Sequence, residues 1–153
     1  AVTTLLAKES INNDSPLLLA NSDQYIEWDS SEIMYNFLNS EIDGGILTFE
    51  STHPKWSYAK VNEHNFVIEV AEKNPISNNA TVGIYFWQKG SDYVTFAEDM
   101  IKKDIRVNGE FYVCPVFNQA IEAGRKIKIK NIDEMWGIGT PEDLDNFLSL
   151  KYK

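Results

Sequence analysis

The stretch LLLANSDQYIEWD, residues 17–29, decides how this chain is read. Leu17, Leu18, Leu19 and Ala20 make an apolar run suited to a buried strand, and the run stops at Asn21-Ser22-Asp23. Asn, Ser and Asp bond their own backbone and tolerate tight geometry, so a turn explains the ending. A metal site explains it too. In open α/β sheets the ligand crevice lies just beyond the carboxyl ends of the strands, where Asp23 would stand. Taken alone, the segment favours the turn, because such endings are common in any sheet.

On the amino-terminal side, Val2, Leu5, Leu6 and residues 9–11 predict an amphipathic helix, ended by Asn12-Asn13-Asp14. The chain opens AVTTLLAKESI, without Met and without the basic start of a signal peptide. It is expected to be a fragment that begins inside a helix. Beyond residue 29, Ser30 or Ser31 is positioned to cap a helix through Ile33, Met34, Phe37 and Leu38. GGILTFES from Gly44 predicts a strand, and YAKV and FVIEVAE predict two more, joined by a polar turn at residues 62–65. ATVGIYFW is a further strand, with Gly83 marking a close neighbour. SDYVTFAEDMIKKD predicts a helix capped by Ser91. EFYVCPVFNQAIEAG predicts a second helix, broken near its start by Pro115 and closed by Gly124. KIKI is a short strand. In GTPEDLDNFLSL, Thr140 caps a last helix, Pro141 takes its first position, and Glu142 and Asp143 meet its positive end. The alternation of strands and helices predicts one α/β domain over residues 1–153, a layered, mostly parallel mixed sheet with helices on both faces.

Composition narrows the function. The chain has 153 residues, enough for one domain with a real core. A formal net charge of −9 argues against nucleic acid as a partner, because phosphate backbones need a basic face. No apolar stretch approaches the ~20 residues of a membrane span. Cys114 is alone, which excludes a disulfide framework and a cysteine metal cluster and fits a cytoplasmic protein. It reads as a buried small hydrophobe. His53 and His64 are too few and too poorly surrounded for a zinc site or a catalytic base.

Four segments, LLLANSDQ (17–24), AEKNPISNNATVGIYFW (71–87), NGEFYVCPVFNQAI (108–121) and WGIGTPEDL (136–144), stand in the order and spacing of sugar-phosphate nucleotidyltransferases. The chain resembles the glucose-1-phosphate thymidylyltransferases and mannose-1-phosphate guanylyltransferases over essentially its whole length. The resemblance implies a Rossmann-like nucleotide-diphospho-sugar transferase fold. It also implies the reaction of a nucleoside triphosphate with a sugar 1-phosphate to give a nucleotide sugar and pyrophosphate, in the service of surface polysaccharide synthesis. In that family a glycine-rich loop with Arg and Lys grips the triphosphate, and these 153 residues contain none. The chain therefore resembles the carboxyl-terminal, sugar-phosphate half of such an enzyme without its amino-terminal nucleotide-binding part. It is expected to be inactive alone and prone to self-association through the uncovered edge.

The resemblance assigns roles. Asp23 would hold Mg²⁺, a cation that prefers oxygen ligands and is bound by one or two carboxylates with substrate oxygens and water. With the resemblance, metal ligand outweighs turn. In VAEKNP, Glu72 would hold sugar hydroxyls and Lys73 the sugar's phosphate; the residues alone would read as a solvated pair. Asp23 and Lys73 are the expected catalytic residues. In HPKWSYAKV the family's aromatic–glycine pair is replaced at Ser57-Tyr58, leaving Tyr58 to reach the ligand and Trp56 to stack on a sugar or fill the core. Gly83, with Gly44 and Gly45, would let backbone approach the ligand or simply kink a strand. One departure stands out. Gly137 occupies the place of a second metal-binding Asp, so Asp133 or Glu134 reaches in, water fills the place, or catalysis is weakened or lost. The alternative is a non-catalytic module of the same fold that binds a sugar phosphate or nucleotide sugar.

Overall fold

A nine-residue strand, β6 (Asn79–Trp87), is buried at every position but its first, which requires cover on both faces. The computed structural model describes residues 1–151. Preceding β6 are two short helical turns, α1 (Val2–Leu5) and α2 (Lys8–Ile11), then β1 (Leu17–Ala20), β2 (Gln24–Glu27), α3 (Ser30–Leu38), β3 (Gly44–Glu50), β4 (Ser57–Val61) and β5 (Val67–Glu72). After it come α4 (Gly90–Lys102), α5 (Val116–Glu122), β7 (Ile127–Asn131), β8 (Glu134–Gly137) and α6 (Pro141–Lys151).

The main sheet runs β5-β4-β6-β3-β7, with β1 also on β6. The α/β class, the mixed sheet and the helices on both faces agree with the sequence reading; the direction of pairing does not. Among the described residues β3–β7 is the one parallel pairing of five, and the other four are antiparallel. The reason lies between residues 51 and 78, where no helix intervenes. Parallel neighbours need a crossover of a dozen or more residues, whereas β4 and β5 are joined by a tight turn. Asn62 builds that turn: its Oδ1 accepts from the His64 and Phe66 amides at 3.0 Å, and Asn65 takes φ 62°.

One face of the sheet packs on α4 and α5. Trp87 stacks on Phe117 with ring centroids 4.3 Å apart, and Tyr93 and Met100 close around them, all fully buried. The other face packs on α3, whose Ile33 and Phe37 lie on Leu47, Val82 and Phe86. Gly45 is dictated by this contact, since a Cβ there would sit 2.6 Å from the Phe37 ring. Asp29, rather than Ser30 or Ser31, caps α3 by accepting from the Glu32 amide at 2.9 Å.

Three further expectations are corrected. The opening helix is two separate turns; Thr4 bonds back to the Ala1 carbonyl at 2.6 Å and to the Tyr93 hydroxyl, a side-chain habit that competes with helix propagation. Lys89, not Ser91, occupies the N-cap position of α4. The helix expected over residues 110–124 starts only at Val116, because the residue before a proline is steered away from helical geometry and Pro115 is the N-cap. Its end is as expected: Gly124 takes φ +79°, and the Arg125 amide returns to the Ala120 carbonyl at 2.9 Å.

A small second sheet, β2 with β8, pairs Tyr25 with Trp136 and Gln24 with Gly137. Phe147 of α6 packs on both aromatic rings, at 5.0 and 5.8 Å. At the start of α6, Thr140 Oγ1 accepts from the Asp143 amide at 3.1 Å and donates to its carboxylate at 2.9 Å, so the cap is the one the sequence indicated.

Candidate functional site

Two strands share one edge of β6 and leave a gap between them. β1 pairs with residues 84–87 and β4 meets β6 at Tyr58↔Ala80, so residues 81–83 have neither beside them. β1 ends at this gap, β4 begins at it, and β5, antiparallel to β4, ends there with Glu72 opposite Ser57. The β6 backbone also bulges here against β3, between Tyr85 and Thr81. Gly83 takes φ +76°, and a Cβ on it would lie 2.3 Å from the Asn21 side chain. Only glycine fits both the dihedral and the space. A cleft of about 430 Å³ opens over the gap, within the range of small-molecule sites.

Asp23 lines this cleft. Its backbone carbonyl accepts from the Ile138 amide at 2.9 Å, and a Cβ on Gly139 would come within 2.6 Å of its carboxylate. That carboxylate takes no hydrogen bond among the described residues, and neither Asn21 nor Ser22 makes a side-chain turn bond. An Asx turn would show such a bond, so these side chains do not build one.

Glu72 lines the same cleft, half-buried, and accepts a hydrogen bond from Ser57 Oγ. Burial pushes its carboxyl above the ordinary range, against the Ser57 hydrogen bond and the Lys73 charge, which pull it down. Beneath it, the fully buried Tyr85 shares a hydrogen bond with Thr81 at 3.0 Å, and burial raises its phenol well above the usual value. Cys114 completes the floor. Burial pushes its thiol far up, which agrees with an inert apolar residue rather than a nucleophile.

Lys73 adopts φ +54° as β5 ends, and its amide donates to the Trp56 carbonyl at 3.0 Å. Its Nζ donates to the hydroxyl of Tyr112, a cleft residue, at 2.9 Å; that contact raises its pKa. The ammonium therefore stands beside the cleft. The structure thus brings Asp23, Glu72 and Gly83 together, with Lys73 adjacent.

Tyr58 is a correction. It is fully buried and its hydroxyl donates to the His53 carbonyl at 2.6 Å, so it holds a loop instead of reaching a ligand. Successive strand residues face opposite sides, and here it is Ser57 that faces the cleft. Trp56 lines the cleft while packing edge-on against Phe49 at 5.5 Å. Gly44 and Gly45 serve core packing: Cβ atoms there would meet Ile127, Phe117 and Phe37. Segment 110–115, read as helix, is a cleft wall carrying Phe111, Tyr112 and Val113. Pro115 was the signal for it.

Carboxylates that could hold Mg²⁺ are few at the cleft. Among the described residues there is no group of three His, Cys, Asp or Glu placed to hold a metal. Glu134 is engaged by Lys151 at 2.7 Å and by Trp136, and neither it nor Asp133 lines the cleft. A Cβ at Gly137 would meet the Trp56 ring at 3.1 Å. Asp143 on the opposite wall is occupied by Lys55 at 3.1 Å and by Thr140, which hold its carboxyl below its usual range. What is left among the described residues is the whole carboxylate of Asp23 and one oxygen of Glu72. A set of one or two carboxylates fits a magnesium ion whose remaining ligands are substrate oxygens and water.

No protein-family model matches the sequence, and comparison with curated protein sequences gave no match. Solved structures do match. A nucleoside-diphosphate-sugar pyrophosphorylase from Vibrio cholerae RC9 superposes with a TM-score of 0.76 at 26% identity, over 96% of this chain and 61% of that one. A protein described as a glucose-1-phosphate thymidylyltransferase from Bacillus anthracis, solved with sucrose, gives 0.77 at 18% identity, over 98% of this chain and 59% of that one. The chain spans about three fifths of the length of each. Over nearly its whole length, then, this chain has the fold of the sugar-phosphate nucleotidyltransferases, the family its four motifs resemble.

Proposed function

We propose that the chain forms the sugar-phosphate-binding part of a sugar-1-phosphate nucleotidyltransferase. The observation that carries the reading is the gap at residues 81–83, where the ends of β1 and β5 present Asp23 and Glu72 to one cleft. The overall reaction joins a phosphate oxygen of the sugar 1-phosphate to the α-phosphorus of a nucleoside triphosphate and breaks that phosphorus from pyrophosphate. Little covalent help from protein is needed; positioning and charge neutralisation dominate.

Glu72 accepts hydrogen bonds from sugar hydroxyls, which suits a carboxylate with an oxygen to spare. Lys73 supplies positive charge beside the sugar's phosphate, exchanging its contact with Tyr112 for a charge-assisted one. Gly83 lets the β6 backbone border the ligand. Asp23 would hold Mg²⁺, which, when bound, neutralises charge on the reacting phosphates. The nucleotide sugar produced would feed surface polysaccharide synthesis in the cytosol.

Equilibrium binding tests the reading. The chain is expected to bind α-D-glucose 1-phosphate or another sugar 1-phosphate more tightly than the free sugar. Absence of binding across a panel of sugar 1-phosphates would overturn it. The 153 residues alone are expected to show no pyrophosphate exchange, because positioning of the triphosphate supplies much of the rate. Exchange at enzyme-like rates would contradict that division of labour.

A second reading, a binding module without chemistry, is favoured by Gly137 and the few unengaged carboxylates at the cleft. The two readings separate on the longest gene product: nucleotidyl transfer supports the enzyme, and tight ligand binding without turnover supports the module.

A further inference from the structure

Ser57 opens β4 directly opposite Glu72, the last residue of β5. Directly opposed residues of an antiparallel pair project from the same face, and both of these line the cleft. Ser57 Oγ donates to Glu72 Oε2. Glu72 Oε1 has no donor among the described residues.

The groups that face this carboxylate come from four places. Lys73 follows it just past the end of β5, Ser57 belongs to β4, Tyr85 to β6, and Cys114 to the segment ahead of α5. Tyr85 and Cys114 are kept neutral by burial, and the Lys73 ammonium is turned to Tyr112. Ser57 is thus the side chain in direct contact with the carboxylate.

Building on the sugar-phosphate reading, we infer that Ser57 is a positioning residue: its hydroxyl fixes one oxygen of Glu72 and leaves the other to accept from a hydroxyl of the bound sugar. The ligand class is a neutral polyol carried on a phosphate. A carboxylate held at one oxygen keeps a single orientation in the cleft, so no rotamer freedom is lost when the sugar arrives. The same bond favours the ionised form, which accepts hydrogen bonds where the protonated form would donate one.

The test compares wild type, Ser57→Ala and Ser57→Thr. The Glu72 carboxyl is titrated by carbon-13 NMR, and affinity for α-D-glucose 1-phosphate is measured across the same pH range. Ser57→Ala removes an influence that lowers the Glu72 pKa, so its midpoint moves up. The rise of affinity with pH moves up with it, and affinity at neutral pH falls about three- to tenfold, the cost of ordering on binding a side chain that Ser57 holds in place in the wild type. Ser57→Thr restores both. The second ionisation of the ligand's phosphate is common to all three proteins and cancels in the comparison.

An unchanged Glu72 midpoint in Ser57→Ala overturns the proposal, as does a shifted midpoint with unchanged affinity and pH profile. A wild-type chain that binds no member of a panel of sugar 1-phosphates overturns the sugar-phosphate reading and the ligand role of Ser57 with it. A wild type that binds, matched by the alanine variant, overturns Ser57 alone.

Discussion

Replacing Asp23 by Asn removes the magnesium-dependent part of sugar-phosphate affinity, a loss of about ten- to a hundredfold at saturating magnesium. The fold is expected to tolerate the change within about 0.5 kcal/mol. Asn keeps the size of the side chain and the backbone carbonyl that accepts from Ile138, so the turn that presents residue 23 persists. What disappears is the one carboxylate lining the cleft that accepts no hydrogen bond among the described residues. Calorimetric titration of α-D-glucose 1-phosphate with and without MgCl₂ measures this directly. Wild type should respond to magnesium and Asp23→Asn should not. A variant that keeps the full magnesium response would place the cation elsewhere.

Trp87→Ala should cost about 3–5 kcal/mol of stability, the range for truncating a buried aromatic. A domain of this kind commonly has about 5–15 kcal/mol in total, so the variant stands near the edge of folding. Trp87 is fully buried, stacked on Phe117 with planes 10° apart and flanked by Tyr93 and Phe96. It also sits where the registers of β1 and β3 converge on β6, opposite Leu17 and Gly44. Its indole N–H has no hydrogen-bond partner among the described residues, so the cost is one of packing. Trp87→Phe should therefore lose much less than Trp87→Ala. Urea unfolding followed by circular dichroism distinguishes them, and a loss under about 1 kcal/mol for the alanine variant would show that this face of the sheet is not where the core is held.

Much of this fold was legible in the sequence, because strands buried on both faces must be apolar throughout. ATVGIYFW obeys that rule, and the Thr140-Pro141 helix start is equally plain; LLLA, equally apolar, is instead only half-covered, with Leu18 43% exposed. The direction of the strands was not legible from alternation alone. It follows from the uninterrupted run β3, β4, β5, β6, which leaves no chain for a crossover. QYIE and EMWG escaped notice because each is four residues long and half-buried, and each becomes a strand only through pairing with the other.

The site divides in the same way. Asp23 and Glu72 were named through the family resemblance, since their residues alone read as a turn and a solvated surface pair. Ser57 was missed, since nothing local tells that the β4–β5 register sets it opposite Glu72. The choice between Ser57 and Tyr58 turned on strand parity, which the sequence leaves open by one residue. Gly83 was ambiguous between a kink and a ligand approach, and it proves to be a kink that borders the cleft.

The central claim is that the gap beside residues 81–83 receives a sugar phosphate. Nitrogen-15 chemical-shift mapping during titration with α-D-glucose 1-phosphate tests it most directly. The account predicts saturable shifts at Asp23, Ser57, Glu72, Lys73 and Gly83. Shifts confined to the separate pocket around Arg125, Asp43 and Lys89 would contradict it.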